Sequence, residues 1–139
     1  MLEQNSANIL KALMDYFSQF TGQKMGIDRI SGDIAEKYTL GVSPSEIWHK
    51  KYVDGGGIKK LQFSFTSLEF YDGNPATQIA NMEFYLELER WIESNNKNGI
   101  YPNVKGAQGV KVLSSGYMLF ADETSARYQI QLEFLYTVQ

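Results

Sequence analysis

The residues of this chain that could do chemistry are few, and their spacing assembles no catalytic group. His49 is the sole histidine, and no cysteine, aspartate or glutamate accompanies it at the spacing of metal ligands. The chain has no cysteine, which excludes thiolate catalysis and a disulfide framework. A hydrolase-type serine nucleophile would stand in a G-x-S-x-G turn, which the sequence lacks. We therefore expect no enzyme activity, no metal and no cofactor.

The segment 54–60, with the sequence DGGGIKK, is similar to a phosphate-binding loop in composition alone. It lacks the G-x-x-x-x-G-K-[ST] spacing, and no helix is predicted after it. Glycines that supply positive φ angles favour a hairpin turn here instead. Beside Trp48 and Tyr52, that hairpin would gather a basic patch of Lys50, Lys51, Lys59 and Lys60. Such a patch suits either nucleic acid or an acidic protein surface.

Two carboxylates, Glu83 and Glu87, stand one helical turn apart, and Arg90 follows at a spacing that allows an ion pair with Glu87. Glycosidase-type acid pairs face each other across a cleft, and nothing in the sequence predicts one. We interpret these residues as a solvent-exposed strip of a helix.

Composition places the chain among ordinary globular domains. Its 139 residues fit one domain, 1–139, and 43% of them are hydrophobic. No run of 18 apolar residues predicts a membrane span, and the first residues lack the basic and apolar regions of a secretory signal. A net charge of −3 and a content of three arginines argue against general nucleic-acid binding.

Hydrophobic periodicity predicts the elements that carry these residues. Apolar residues at helical spacing predict a helix over 3–21 and a second one from the start signal at 74–75 to about residue 96. The second helix is apolar on two flanks, so we interpret it as packed between its own sheet and the first helix; contact of one flank with a neighbouring subunit is the alternative. Strands are predicted over 36–42, 46–53, 61–71, 110–113, 117–121 and 126–138.

Two details of these strands bear on the surface. We expect Trp48 and Tyr52 to share one face, and we expect a bulge near residues 66–67, where the apolar alternation switches. The order of elements predicts an α+β domain, in which two helices pack on one face of a mainly antiparallel four- to five-stranded sheet.

Several segments together resemble one protein family. They are 50–57 (KKYVDGGG), 62–71 (QFSFTSLEFY), 78–81 (QIAN) with 84–85 and 91–93, 112–117 (VLSSGY) and 126–131 (ARYQIQ). Together they resemble the minor capsid proteins, similar to tail terminators, of long-tailed bacteriophages and prophages of Gram-positive bacteria. The likeness spans about residues 36–139 and consists of short aromatic and glycine patterns.

The resemblance implies a structural role in virion assembly, without catalytic residues. Tail terminators form a hexameric ring on the end of the tail tube, stop tube polymerisation and offer the neck a docking surface. The implied partners are further copies of the chain, the tail tube protein, a neck or connector protein, and DNA that passes without specific binding, with no membrane. The implied location is the tail–head junction of the virion, after assembly in the host cytoplasm.

Two surfaces of the chain suit that role. A ring needs two different, complementary patches on each subunit. We expect the interface to consist of Trp48, Lys50, Lys51, Tyr52, Lys59 and Lys60 on one copy and of Glu83 and Glu87 on the next. A conduit for DNA should not bind phosphate, and the outward residues of the last strand are polar, so we expect Gln129, Gln131 and Glu133 to line the hole.

Two alternatives stay open. The chain could be another head–tail connector or stopper protein, which acts at the same neck. From a different class, it could be a small ligand-binding module with an aromatic pocket near Trp48 and Tyr52. A binding module would be monomeric or dimeric and would show a saturable ligand.

Overall fold

The structure, a computed structural model, describes residues 6–23, 25–27 and 37–139. The two helices are α1 (Ser6–Thr21) and α2 (Pro75–Lys97). The strands are β1 (Gly26–Ile27), β2 (Tyr38–Val42), β3 (Trp48–Lys51), β4 (Gly57–Phe70), β5 (Ala107–Val112), β6 (Tyr117–Ala121) and β7 (Ser125–Val138). The predicted helices and strands are thus confirmed as elements, although β4 begins at Gly57 where residue 61 was predicted, and β1 was not predicted. Residues 3–5 and 36, which were assigned to the first helix and first strand, lie outside the described residues.

Two strands of 14 residues, β4 and β7, form the middle of the sheet. They pair antiparallel without interruption from Gly57 opposite Val138 to Phe70 opposite Ser125. Strands β3 and β2 pair with the other edge of β4, and β5 and β6 with the other edge of β7. Strand β1 adds to β2 in parallel, so the sheet is five strands wide at β1 and four strands wide at β3. The α+β fold with a mainly antiparallel sheet is confirmed, and the sheet contains seven strands where four to five were predicted.

The bulge predicted in β4 is wrong. The register of β4 against β7 continues through residues 66–67 without a shift. Leu68 and Phe70 are apolar residues on the outer face of a regular strand, and Leu68 lies opposite Arg127 there. Apolar residues switch to the outer face at this point because the outer face itself becomes apolar here, and the pairing of the backbone does not change.

Both helices pack on one face of the sheet, as predicted. The ring of Phe17 in α1 lies 5.8 Å from that of Phe63 and 5.6 Å from that of Phe65. Trp91 in α2 contacts Tyr16 with a centroid distance of 4.7 Å, which joins the two helices. Neither helix in the described residues is long and apolar enough to cross a membrane.

A buried hydroxyl fixes α2 on the sheet. Tyr85 donates to the backbone carbonyl of Tyr128 at 2.9 Å and accepts from Ser67 Oγ at 2.6 Å. Burial raises the pKa of Tyr85, so this phenol keeps its proton. Gly116 packs directly on the ring, since a Cβ there would lie 2.5 Å from Cγ of Tyr85. The glycine between β5 and β6 therefore serves close packing.

Two amides fix the carboxyl-terminal end of α2. Asn95 Nδ2 donates to the hydroxyl of Tyr16 in α1 at 3.1 Å. Asn96 donates from Nδ2 to the carbonyl of Val110 at 2.7 Å and accepts from its N–H at 3.2 Å. The side chain of Asn96 thus pairs with β5 as a strand residue would, which sets the helix against the sheet edge.

The second flank of α2 differs from the prediction. One flank does meet α1, since Phe84 and Trp91 lie 5.3 and 5.2 Å from the ring of Phe20. On the other flank, however, Ile79 is 60% exposed and Leu86 is 47% exposed. The interpretation that α2 is covered on both flanks within its own chain is therefore wrong, and an apolar strip faces solvent.

Candidate functional site

The side chains that were weighed for chemistry lie on the surface. His49 is exposed on β3, and Glu83 and Glu87 are exposed on α2. Among the described residues, no cluster of three or more histidine, aspartate or glutamate side chains could hold a metal ion.

Open depressions of the described residues include one of about 510 Å³ along α1, which Met14 and Met25 line. Another, of about 420 Å³, lies between α2 and β5 and includes Tyr101. Trp48 and Tyr52 line neither of them.

The β3–β4 hairpin carries the predicted basic patch, termed here the basic hairpin. It consists of Trp48, Lys50, Lys51, Tyr52, Lys59 and Lys60. The Nζ atoms of Lys51 and Lys59 lie 5.3 and 5.1 Å from the ring centroid of Trp48, one of the closest arrangements of charge and aromatic surface in the chain. Lys60 lies 4.0 Å from Glu46, whereas the other three lysines have no carboxylate within ion-pair distance among the described residues.

The register of β3 determines on which face of the hairpin each side chain lies. Trp48 lies opposite Lys59, but a shift before Lys50 places that residue opposite Ile58. Lys50 instead lies over the ring of Tyr52, 5.6 Å from its centroid. The prediction that Trp48 and Tyr52 share a face is therefore wrong, because the bulge occurs in β3.

The turn of the hairpin depends on glycine. Gly55 has a φ of +96°, which closes the turn, and Asp54 Oδ1 accepts from the N–H of Gly56 at 3.1 Å. A Cβ on Gly57 would collide with the carbonyl of Lys50 and approach the ring of Trp48 at 3.0 Å. The glycines thus let the strands meet closely enough for the lysines to cover the tryptophan.

The tip of the basic hairpin is also apolar. Val53 in the turn is fully exposed, and Tyr52 beside it is 42% exposed. Lys50 lies over the ring of Tyr52, so apolar surface and positive charge are adjacent at this tip. Such a combination is typical of a contact between proteins, in which the apolar groups contribute most of the binding free energy.

The opposite end of the β4–β7 ribbon carries the opposite charge; we term it the acidic end. It consists of Phe70, Asp72, Phe120, Asp122 and Glu123. Phe70 is 67% exposed and Phe120 is 51% exposed, and the three carboxylates are exposed as well.

Backbone N–H groups keep two of these carboxylates ionised. Asp122 accepts from the N–H groups of Thr124 at 2.9 Å and Ser125 at 2.8 Å, which lowers its pKa. The N–H of Asn74 does the same for Asp72 at 2.9 Å and lowers the pKa of that carboxyl. This acidic end was not predicted from the sequence. Leu68 and Phe70, which bring the apolar alternation to the outer face, were the one sign that this end of β4 is exposed and apolar.

The first half of α2 lies at the acidic end. Asn81 Nδ2 donates to the backbone carbonyl of Phe70 at 3.1 Å, so this turn of the helix is level with the end of β4. Ile79 and Glu83 occupy neighbouring positions on the exposed face of the same helix. The predicted acidic strip and the acidic end are therefore at the same end of the molecule.

The outer face of the sheet is a network of amides. The hydroxyl of Tyr117 donates to Gln129 Oε1 at 3.1 Å and accepts from Gln131 Nε2 at 3.3 Å. Gln62 donates to Glu133 Oε2 at 3.1 Å. Glu133 is only 5% exposed, so the expectation that it lies on a wet surface is wrong. Gln62 in β4 and Lys111 in β5 lie opposite it on its two sides.

The outer face is also more basic than β7 alone predicted. Lys111 in β5 lies opposite Glu133, and Lys60 in β4 lies opposite Leu135, so both join the face. Arg127 lies there too, with its guanidinium 5.1 Å from the ring centroid of Phe120. Lys60 and Lys111 belong to other strands, so the sequence of β7 alone does not predict that they lie on this face.

Two threonine hydroxyls lie in the middle of this face. Thr39 and Thr66 face each other across β2 and β4 and are 1% and 2% exposed. Neither Oγ1 atom has a hydrogen-bond partner among the described residues. A buried hydroxyl without a partner costs stability, so the two positions are a weakness of the folded chain.

No protein-family model and no curated protein sequence matches this chain. The resemblance to phage tail terminators therefore stays a prediction from the sequence.

Proposed function

We propose that this protein is a structural subunit of a phage virion, which closes the end of the tail tube as a ring of six copies. In this role it stops tube polymerisation and presents a docking surface to a neck or connector protein. One observation carries the proposal: the molecule exposes apolar side chains at two opposite ends, with lysines at one end and carboxylates at the other. Two different complementary patches on one subunit are what a ring requires.

The contact between neighbours uses the basic hairpin. Lys50, Lys51 and Lys59 have no ion-pair partner among the described residues, and Glu83 and Glu87 are equally unpaired there. The lysines of one copy therefore pair with the glutamates of the next. Each exposed pair contributes only about 0–1 kcal/mol, so apolar groups must supply the rest of the association.

The amide network of the outer face lines the hole of the ring. Gln129 and Gln131 are held by Tyr117, and amides offer DNA no fixed charge to bind. Lys111 stands opposite Glu133 and Lys60 stands near Glu46, which offsets much of the basic charge on this face. Cysteine cross-linking from position 131 across the ring axis tests the placement; reaction with outside partners alone contradicts it.

Negative-stain imaging of the protein, alone and with tail tubes, tests the function. Sixfold rings on tube ends are the expected result. Lys50→Glu with Lys51→Glu should abolish them, and Lys11→Glu with Lys97→Glu is the matched control, because it changes the net charge equally elsewhere. Rings that bind a connector but leave tube length uncontrolled would indicate the stopper role. A monomer with a saturable small ligand would contradict assembly.

A further inference from the structure

We infer that neighbouring copies join head to tail along the β4–β7 ribbon, with the tip of the basic hairpin of one copy seated on the acidic end of the next. The inference rests on the proposed function in that both need a contact between copies of the chain. It goes further because it names the apolar groups that hold the contact and its direction.

The apolar groups at the two ends are matched in kind and exposure. At the hairpin tip, Val53 is fully exposed and Tyr52 is 42% exposed. At the acidic end, Phe70 and Phe120 on the outer face are 67% and 51% exposed. All four are exposed large apolar side chains of the described residues, and burying them against each other removes apolar surface from water.

The charges around these groups are complementary. Lys50 and Lys51 directly precede the hairpin turn, which also carries Asp54. Asp72, Asp122 and Glu123 closely follow Phe70 and Phe120 in the chain, and Arg127 adds a positive charge over the ring of Phe120. None of these acids forms an ion pair within the described chain. Charge complementarity of this kind selects a second copy of the chain as the partner and orients it on approach.

Geometry excludes the two simpler contacts. The strand β4 has 14 residues, so its ends are about 43 Å apart at a rise of about 3.3 Å per residue, and they cannot meet within one molecule. A two-fold dimer through either end would place like charges opposite each other, which is unfavourable. The remaining contact is heterologous, and repetition of it produces a closed ring or a filament.

Cross-linking tests this contact directly, because the chain has no native cysteine. The double variant Val53→Cys with Phe70→Cys is treated with a short bismaleimide in samples that imaging shows to be assembled. A bismaleimide is chosen because a disulfide tolerates little error in Cα separation. The expected product is a ladder of covalent oligomers that ends at six. The matched control is Val53→Cys with Ile100→Cys, since Ile100 is 49% exposed but lies outside the acidic end.

The results separate this inference from the proposed function. Rings on tube ends without a ladder above the control would overturn the head-to-tail contact and leave the function standing. A ladder without a closing size, in a protein that never caps tubes, would support the contact and overturn the function. Samples that contain no oligomer with or without tubes overturn both.

A second measurement uses solution association. Phe70→Ser should weaken self-association by about tenfold in analytical ultracentrifugation, because it removes a central apolar group of the contact. Ile100→Ser should leave it unchanged. If both substitutions weaken self-association equally, Phe70 is not part of the contact between copies.

Discussion

The two faces of the β4–β7 ribbon have opposite roles, although the same two strands build both. On the helix side, Phe63 and Phe65 in β4 and Ile130 and Leu132 in β7 are fully buried. On the outer side, the middle of these strands carries amides, hydroxyls and a carboxylate, and Gln62 bonds to Glu133 across the two strands. Charged and apolar residues, among them Lys60, Leu68 and Arg127, lie nearer the ends.

The difference shows where stability and recognition reside in this protein. Burial of apolar area stabilises the fold, and that area lies almost wholly on the helix side. The outer face and the two ends of the ribbon contribute little to the core, so their side chains can serve contacts with partners. Substitutions on the two sides should therefore change the free energy of unfolding by different amounts and, at some positions, in opposite directions.

The largest expected effect is on the helix side. Phe65→Ala should lower the free energy of unfolding by about 3–5 kcal/mol, because it opens a cavity between four aromatic rings. Those rings are Phe17, Tyr38, Phe84 and Tyr85. Urea denaturation followed by circular dichroism measures the change. A loss below about 1 kcal/mol would show that the core is not concentrated on this face.

A tyrosine from each side gives a matched pair. Tyr85→Phe should cost about 1–3 kcal/mol, because Ser67 and the carbonyl of Tyr128 lose a buried partner. Tyr117→Phe removes a hydroxyl that is also bonded twice, but Tyr117 is 37% exposed and water can replace it. Its change should stay within about 0.5 kcal/mol. Equal losses in urea denaturation would erase the distinction between the faces.

Adjacent residues of β4 should give opposite signs. Thr66→Val removes a buried hydroxyl that has no partner among the described residues and should stabilise the protein by about 1 kcal/mol. Ser67→Ala, on the helix side, removes the donor to Tyr85 and should destabilise by a similar amount. Thermal melts of both variants measure the difference. Destabilisation by Thr66→Val would show that its hydroxyl does find a partner.

The smallest effect is a pH dependence at the acidic end. Backbone N–H groups lower the pKa of Asp122 below its ordinary 3.8, so its contribution to stability is complete above that value and is lost as the pH falls through the folded-state pKa. Asp122→Asn removes this contribution at every pH. The melting temperatures of wild type and variant should therefore differ at neutral pH and converge as the pH falls below the folded-state pKa of Asp122. A constant difference would contradict the assignment.

Much of the fold was predictable because its signals are local. Asn74 accepts from the N–H of Ala76 at 2.9 Å and begins α2 as predicted, and Gly55 closes the predicted hairpin. The alternation of β7 predicted the buried face of that strand residue by residue. The basic patch was predictable for the same reason, since a tight turn brings its two halves together.

The acidic end was not predicted, because its parts are distant in the sequence. Phe70 and Phe120 come together only when β4 and β6 both pair with β7. Their exposure was visible as a break in the alternation at residues 68 and 70, which was interpreted as a bulge. The position of the real irregularity, in β3, depends on how that strand fits β4.

By itself, the amino-acid sequence determined which segments become helices and strands, where their turns lie and which side of each long strand is apolar. These features follow from backbone conformation and from spacing within a few residues. The tertiary structure alone decided that Glu133 is buried, that Lys60 and Lys111 join the outer face, and that charge is divided between two ends. Those properties depend on which strands become neighbours, and the pairing of strands about 70 residues apart cannot be recognised in the residues of either strand alone.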